Sequence, residues 1–122
     1  MQHWVKKFQN AFRGIPAGVR GQSSFTVHFA FTAGVLVLAK MLQCQRWEWV
    51  ILLLCIGVVL TAELFNSALE HLARGLCSEQ NEQVGAALDI ASAAVLVASI
   101  FSAIVGLMIL GPRIVALLTN FL

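Results

Sequence analysis

Residues 49–72 read WVILLLCIGVVLTAELFNSALEHL. Residues 49–62 form an almost unbroken apolar run, and Glu63 closes it, followed at helical spacing by Asn66 and Glu70. A run of this length and composition is expected to cross a membrane as a helix. An acidic side chain at membrane depth is costly, and such residues face a protein interior or an aqueous cavity and mark a reaction or transport path. At i, i+3 and i+7, Glu63, Asn66 and Glu70 fall on one side of that helix as a polar stripe.

The rest of the chain agrees with a membrane setting. Of the 122 residues 59% are hydrophobic and 11% charged, and mean hydropathy is +0.84, outside the soluble globular range. The length has room for about three spans of roughly 20 residues, which excludes a large soluble domain. Three spans are expected, at residues 24–42, 47–72 and 85–110, with Gly111 and Pro112 stopping the third and residues 112–122 forming a tail at the outer interface. The first apolar run follows a basic, partly polar arm and no small-residue cleavage site comes after it, so it is expected to be retained. The fold class is all-α, with the whole chain as one membrane domain.

Lys6, Lys7, Arg13 and Arg20 precede the first span and Arg74 follows the second, against Lys40, Arg46 and Arg113 on the other side. This asymmetry predicts a cytoplasmic N-terminus and a C-terminus outside. Trp47 and Trp49 beside Arg46 are expected to anchor the far interface at a turn over residues 43–46. Within residues 1–20, Trp4, Val5, Phe8, Ala11 and Phe12 share a helical face, with Lys6, Lys7, Gln9, Asn10 and Arg13 opposite, which predicts an amphipathic helix on the inner membrane surface. Gly14, Pro16 and Gly18 are expected to interrupt it as a hinge. Small residues throughout the third span, from Gly85 to Gly106, predict close helix packing; Ser92, near the cytoplasmic end, is a candidate lipid or phosphate contact.

The chemistry suggested by the stripe follows from depth. Glu63 lies about 21 Å along the helix from Trp49 and Glu70 roughly 10 Å further, so the two carboxylates cannot act as a close dyad. Glu63 suits a base beside a lipid hydroxyl, and Glu70 suits a place among water, metal and phosphate oxygens. The alternative is a stripe that only hydrogen-bonds neighbouring helices. Asp89, expected to open the third span, and Glu79, Gln80, Asn81 and Glu82 in the preceding loop supply further oxygens of the kind magnesium takes in phosphate sites. A solvated loop and a helix-terminal aspartate are the competing explanations.

AELFNSALE, a short acidic loop and ALDIASAAVLVA together resemble the signature region of prokaryotic diacylglycerol kinase and undecaprenol kinase, a likeness that covers roughly residues 4–110 and includes Phe12, Arg13 and Gly14 of the arm. The resemblance implies a homotrimer in the bacterial cytoplasmic membrane, each subunit a surface helix plus three membrane helices, that transfers the γ-phosphate of ATP to a lipid hydroxyl with Mg2+. It further implies Glu63 as catalytic base and Asn66 and Ser92 at the lipid substrate. Glu70 and Gln22 would lie at the metal, and Asn10, Glu70, Glu79, Gln80, Asn81 and Asp89 around the nucleotide. No Walker or glycine-rich nucleotide loop is present.

Four positions depart from the family pattern: Gln22 stands where a second metal-binding glutamate is usual, Leu88 where a lysine precedes the aspartate, and Gln80 and Asn81 where an aromatic residue and histidine are common. A catalytically impaired, lipid-binding or regulatory homologue is the alternative they support. A proton-coupled transporter would also use a membrane carboxylate, but an odd number of spans and no internal repeat count against it. His28 is expected to make an interhelical hydrogen bond, and His3 and His71 have no partner at metal-ligand spacing. Cys44, Cys55 and Cys77 are expected outside, within and inside the membrane, with no disulfide or zinc pattern. The net charge of +2 suits anionic lipid headgroups rather than nucleic acid.

Overall fold

A computed structural model describes residues 1–76 and 79–122, so Cys77 lies outside the described residues. Four helices follow in order: α1 Gln2–Val19, α2 Ser23–Met41, α3 Arg46–Leu76 and α4 Glu82–Phe121. The last three are each long and apolar enough to cross a membrane, and the chain is an all-helical membrane protein. α3 is the central element, packing most extensively on α4 and also on α2 and α1.

Helix α1 corrects the expected hinge, because it runs unbroken through Gly14, Pro16 and Gly18. Pro16 lacks the N–H that would reach the Phe12 carbonyl, a loss of about 3 kcal/mol in a helix interior. The ladder nevertheless resumes, with the Arg20 N–H donating to the Pro16 carbonyl at 3.0 Å. The break comes at Gly21, whose φ of 76° is open to glycine and strained for other residues. α1 docks on α3 at Gly18: the Ser67 hydroxyl donates to the Gly18 carbonyl at 2.7 Å, and a Cβ at Gly18 would sit 2.9 Å from Leu64 Cδ2. Alanine at position 18 asks only that the Leu64 terminus turn, whereas Gly18→Val must push the helices apart. Valine is expected to lower stability by about 1–3 kcal/mol and alanine by less, read from thermal unfolding in detergent micelles.

Helix α4 corrects the third span. It continues through Gly111 and Pro112 to Phe121, so the tail is helix rather than a stopped chain. Proline is tolerated in spanning helices where surrounding structure or water re-satisfies the freed carbonyl. The residue after it is fixed by a clip: Arg113 Nε donates to Glu48 Oε2 at 2.9 Å, Nη2 donates to Glu48 Oε1, and Nη1 donates to the Leu42 carbonyl at 3.2 Å. The Gln45 N–H also donates to Glu48 at 2.8 Å. The α2–α3 turn, where Gln43 takes a φ of 54°, is thereby tied to α4. Beside the clip, Ala39, Leu52, Ile109 and Leu110 form the apolar core, and Trp49 packs against it. Only Trp47 of the two expected anchors stays outside that core, exposed, its indole N–H donating to Gln45 at 2.8 Å.

The start of α4 also differs from expectation. Asn81 is its cap, accepting from the Gln83 and Val84 N–H groups at 2.9 and 3.3 Å, so two of the free donors at the helix start are satisfied. Asp89 therefore lies about two turns inside the helix and caps nothing. Within α4 the small residues divide: Ala91 is buried, whereas Ala86, Ala87, Ala93 and Ala94 are exposed.

Candidate functional site

The polar stripe on α3 faces the beginning of α2. Glu63 is 2% exposed; the Ser24 hydroxyl donates to its Oε1, and His28 Nε2 lies 3.5 Å from its Oε2. One turn on, Asn66 is 7% exposed and donates through Nδ2 to Glu70 Oε1 at 3.3 Å, while its Oδ1 is buried without a partner. Glu70 Oε2 accepts from Gln22 Nε2 at 2.8 Å and from Arg74 Nη2 at 3.4 Å. Gln22 was expected to offer an oxygen to a metal; instead its amide N–H turns to Glu70, because an ionised carboxylate only accepts.

Glu70 stands at the mouth of an open cleft of about 790 Å³ shared by Arg74, Glu79, Gln80, Asn81 and Leu88. Three of the loop residues expected near a nucleotide are thus brought together with Glu70, and Arg74 supplies a cation where Leu88 does not. Asp89 and Ser92 are exposed on α4 and are not among the residues lining this cleft. Asn10 is exposed on α1, in a separate surface depression with Lys6, Gln9 and Arg13. Among the described residues no group of three or more His, Cys, Asp or Glu side chains is placed to hold a metal.

A second cavity, about 310 Å³, lies between α2, α3 and α4, with His28, Thr32, Leu52, Val59, Ser99 and Gly106 in its wall. It is mostly apolar, and the buried Ser99 hydroxyl has no partner. Ser102, also in the wall, donates to the Cys55 carbonyl at 3.4 Å. His28 bridges the two regions, touching Glu63 on one side and the cavity on the other. Sequence reasoning foresaw an interhelical bond for His28 but not its partner, and it passed over Ser24. Their signal was a serine and a histidine spaced i, i+4 near the start of the first span.

A buried carboxylate beside an apolar cavity between apolar helices, and a second carboxylate on a polar cleft, belong to a membrane protein that carries both an apolar and a polar recess. The pattern described as prokaryotic diacylglycerol kinase matches residues 9–110. Undecaprenol kinase of Bacillus subtilis (strain 168) is 32% identical over 114 residues, covering 93% of each chain. The chain belongs to the prokaryotic diacylglycerol kinase family, and so to the prokaryotic lipid kinases.

Proposed function

We propose that this chain transfers the γ-phosphate of ATP to the hydroxyl of a membrane lipid, with Glu63 as the base. One contrast carries the reading. Both buried glutamates of this protein are satisfied, but Glu48 has an arginine on it, as a structural carboxylate requires, whereas Glu63 has a hydroxyl and an imidazole. A carboxylate held that way keeps the capacity to take a proton.

In the proposed step the lipid O–H gives its proton to Glu63 as the lipid oxygen bonds to the γ-phosphorus. The bond from that phosphorus to the β–γ bridging oxygen breaks, ADP leaves, and Glu63 returns the proton to water. Glu70, with Glu79 and Asn81 lining the same cleft, is the kind of oxygen donor that suits Mg2+ shared with phosphate oxygens. When bound, the ion supplies charge neutralisation on the phosphates. Gln22 steadies Glu70, and Arg74 faces the phosphates from the cleft where Glu79, Gln80 and Asn81 border the nucleotide. Asn10, Asp89 and Ser92 lie outside the cleft of their own chain and would meet the nucleotide or lipid at the site of a neighbouring copy. The exposed alanines on α4 and the predominance of exposed large apolar side chains support such packing, in a homotrimer. Trp4, Phe8 and Phe12 are also exposed, which suits α1 lying on the cytoplasmic surface of the inner membrane.

A polyprenol is the preferred acceptor over diacylglycerol. The undecaprenol kinase likeness supports it, and so does the mostly apolar cavity below His28, which is suited to one chain. A Cβ at Gly106 meets nothing within 4 Å, so Gly106→Leu builds into open space and shortens that cavity. Losing one or two buried methylenes of contact predicts a rise in KM for undecaprenol of roughly four- to fifteenfold, with KM for ATP unchanged; equal effects on both would count against the cavity.

The direct experiment is transfer of labelled γ-phosphate from Mg-ATP to undecaprenol and, separately, to diacylglycerol, with purified protein in mixed micelles. Label in undecaprenol supports the reading. No transfer to either lipid from a folded protein favours the second reading, a lipid-binding or regulatory homologue, for which Leu88 in the cleft wall is the supporting observation.

A further inference from the structure

We propose that His28 is a positioning residue that holds the Glu63 carboxylate in the orientation required for proton abstraction; this rests on Glu63 being the base. Two side chains from one face of α2, spaced i, i+4, engage the two oxygens of one carboxylate: Ser24 on Oε1 and His28 on Oε2. Both carboxylate oxygens are therefore assigned, and rotation of the carboxylate about its terminal bond breaks one contact or both. An ionised Glu63 only accepts, so Nε2 of His28 carries the proton in this pair. The 3.5 Å separation is long for a finished hydrogen bond, and contacts of this kind tighten when substrate arrives.

The surroundings favour orientation over proton release as the task of this imidazole. The His28 side chain is 19% exposed, and the space beside it is the mostly apolar cavity, not the polar cleft. Glu63 and Cys55 on α3 are the titratable groups near it; α4 presents Ser99, Ser102, Ala103 and Gly106, and α2 adds Thr32. That wall offers hydroxyls but no second carboxylate or imidazole to which His28 could pass a proton. What the imidazole supplies is a donor at a fixed reach: Nε2 lies three bonds from Cβ, a reach that glutamine Nε2 matches and asparagine Nδ2 does not.

The test is a kinetic comparison of wild type, His28→Leu, His28→Asn, His28→Gln, Ser24→Ala and Glu63→Gln in the γ-phosphate transfer assay, with thermal unfolding measured on each. The expected result is a fall in kcat of about a hundredfold for His28→Leu and His28→Asn, the scale of a 1 Å misplacement at a reacting centre. KM for lipid and for ATP should stay within about twofold, since only the orientation of the base changes. His28→Gln should recover kcat to within about fivefold of wild type, because its donor has the same reach. Equal losses in glutamine and asparagine would overturn the proposal, as would a rise in lipid KM at unchanged kcat, which would make His28 merely a cavity wall. Should His28→Leu fail to fold, the polar pair of asparagine and glutamine still decides. If Glu63→Gln retains activity, the reading of Glu63 fails; if it is inactive while His28→Leu is normal, the inference about His28 fails alone.

Discussion

Glutamine in place of Glu63 is expected to lower the rate of phosphoryl transfer about a thousandfold, within the range by which positioned bases contribute to proton-transfer steps. The substitution is nearly isosteric. Its Oε1 still accepts from Ser24, and His28 can present its unprotonated nitrogen to the new amide, so α2 and α3 should stay docked. What disappears is the proton-accepting capacity. ATP affinity should be unchanged, because Glu70 and Arg74, about 10 and 17 Å further along α3, are untouched. A variant that keeps more than a tenth of wild-type kcat would remove Glu63 from the chemistry and return the stripe to a helix-packing role. One that also loses its thermal transition would have lost the fold rather than the base.

Arg113→Met is expected to have the largest effect on stability, a clear loss relative to wild type, because removing one partner leaves the other charge uncompensated. Glu48 is 4% exposed, and removal of its guanidinium leaves a buried carboxylate with only the Gln45 N–H. The Leu42 and Gln43 carbonyls lose their donor in the same step. The double variant Glu48→Leu with Arg113→Met removes both charges and should recover much of the loss, because a buried pair replaced by well-packed apolar side chains is often neutral. Thermal or denaturant unfolding in micelles measures all three proteins. A single variant as stable as wild type would show that the pair is solvated in the assembled protein.

The spans were legible because length and hydropathy alone decide whether a helix fits a bilayer, and the stripe on α3 was legible because its period is 3.6. Helix ends were less so. Pro16 and Pro112 read as stops, yet neither ends its helix; the Arg20 to Pro16 bond and the Arg113 clip are tertiary or cap contacts with no local signature. Asp89 read as the opening of a span because carboxylates favour helix starts, while Asn81, already in view as a loop residue, holds that place. The pairing of Glu48 with Arg113 joins residues 65 apart in sequence, and charge counting had assigned Arg113 only to a side of the membrane. The family resemblance carried Glu63, Asn66 and Glu70, but Ser24 and His28 on the same carboxylate required coordinates.

Pro112 also marks depth. Its missing N–H leaves the Met108 carbonyl without a helical donor, and the Met108 side chain is 72% exposed. An open carbonyl is tolerable at water and costly in hydrocarbon unless surrounding structure meets it; with this part of α4 taken as one waterline, the depths of the other residues follow. Counting back about 30 Å at 1.5 Å per residue, α4 meets the opposite waterline about twenty residues earlier, near Ser92. On α3, Glu63 lies about 22 Å from Glu48, the residue level with Arg113, and so about 8 Å below that second surface. If Glu63 is the base, as proposed, a neutral alcohol can sink that far, whereas a lipid already bearing a phosphate meets a dielectric barrier on the way. The same barrier acts on the product. In the proposed reaction the lipid would gain charge where charge is least welcome, and the membrane itself would favour its return to the surface without any moving part of the protein.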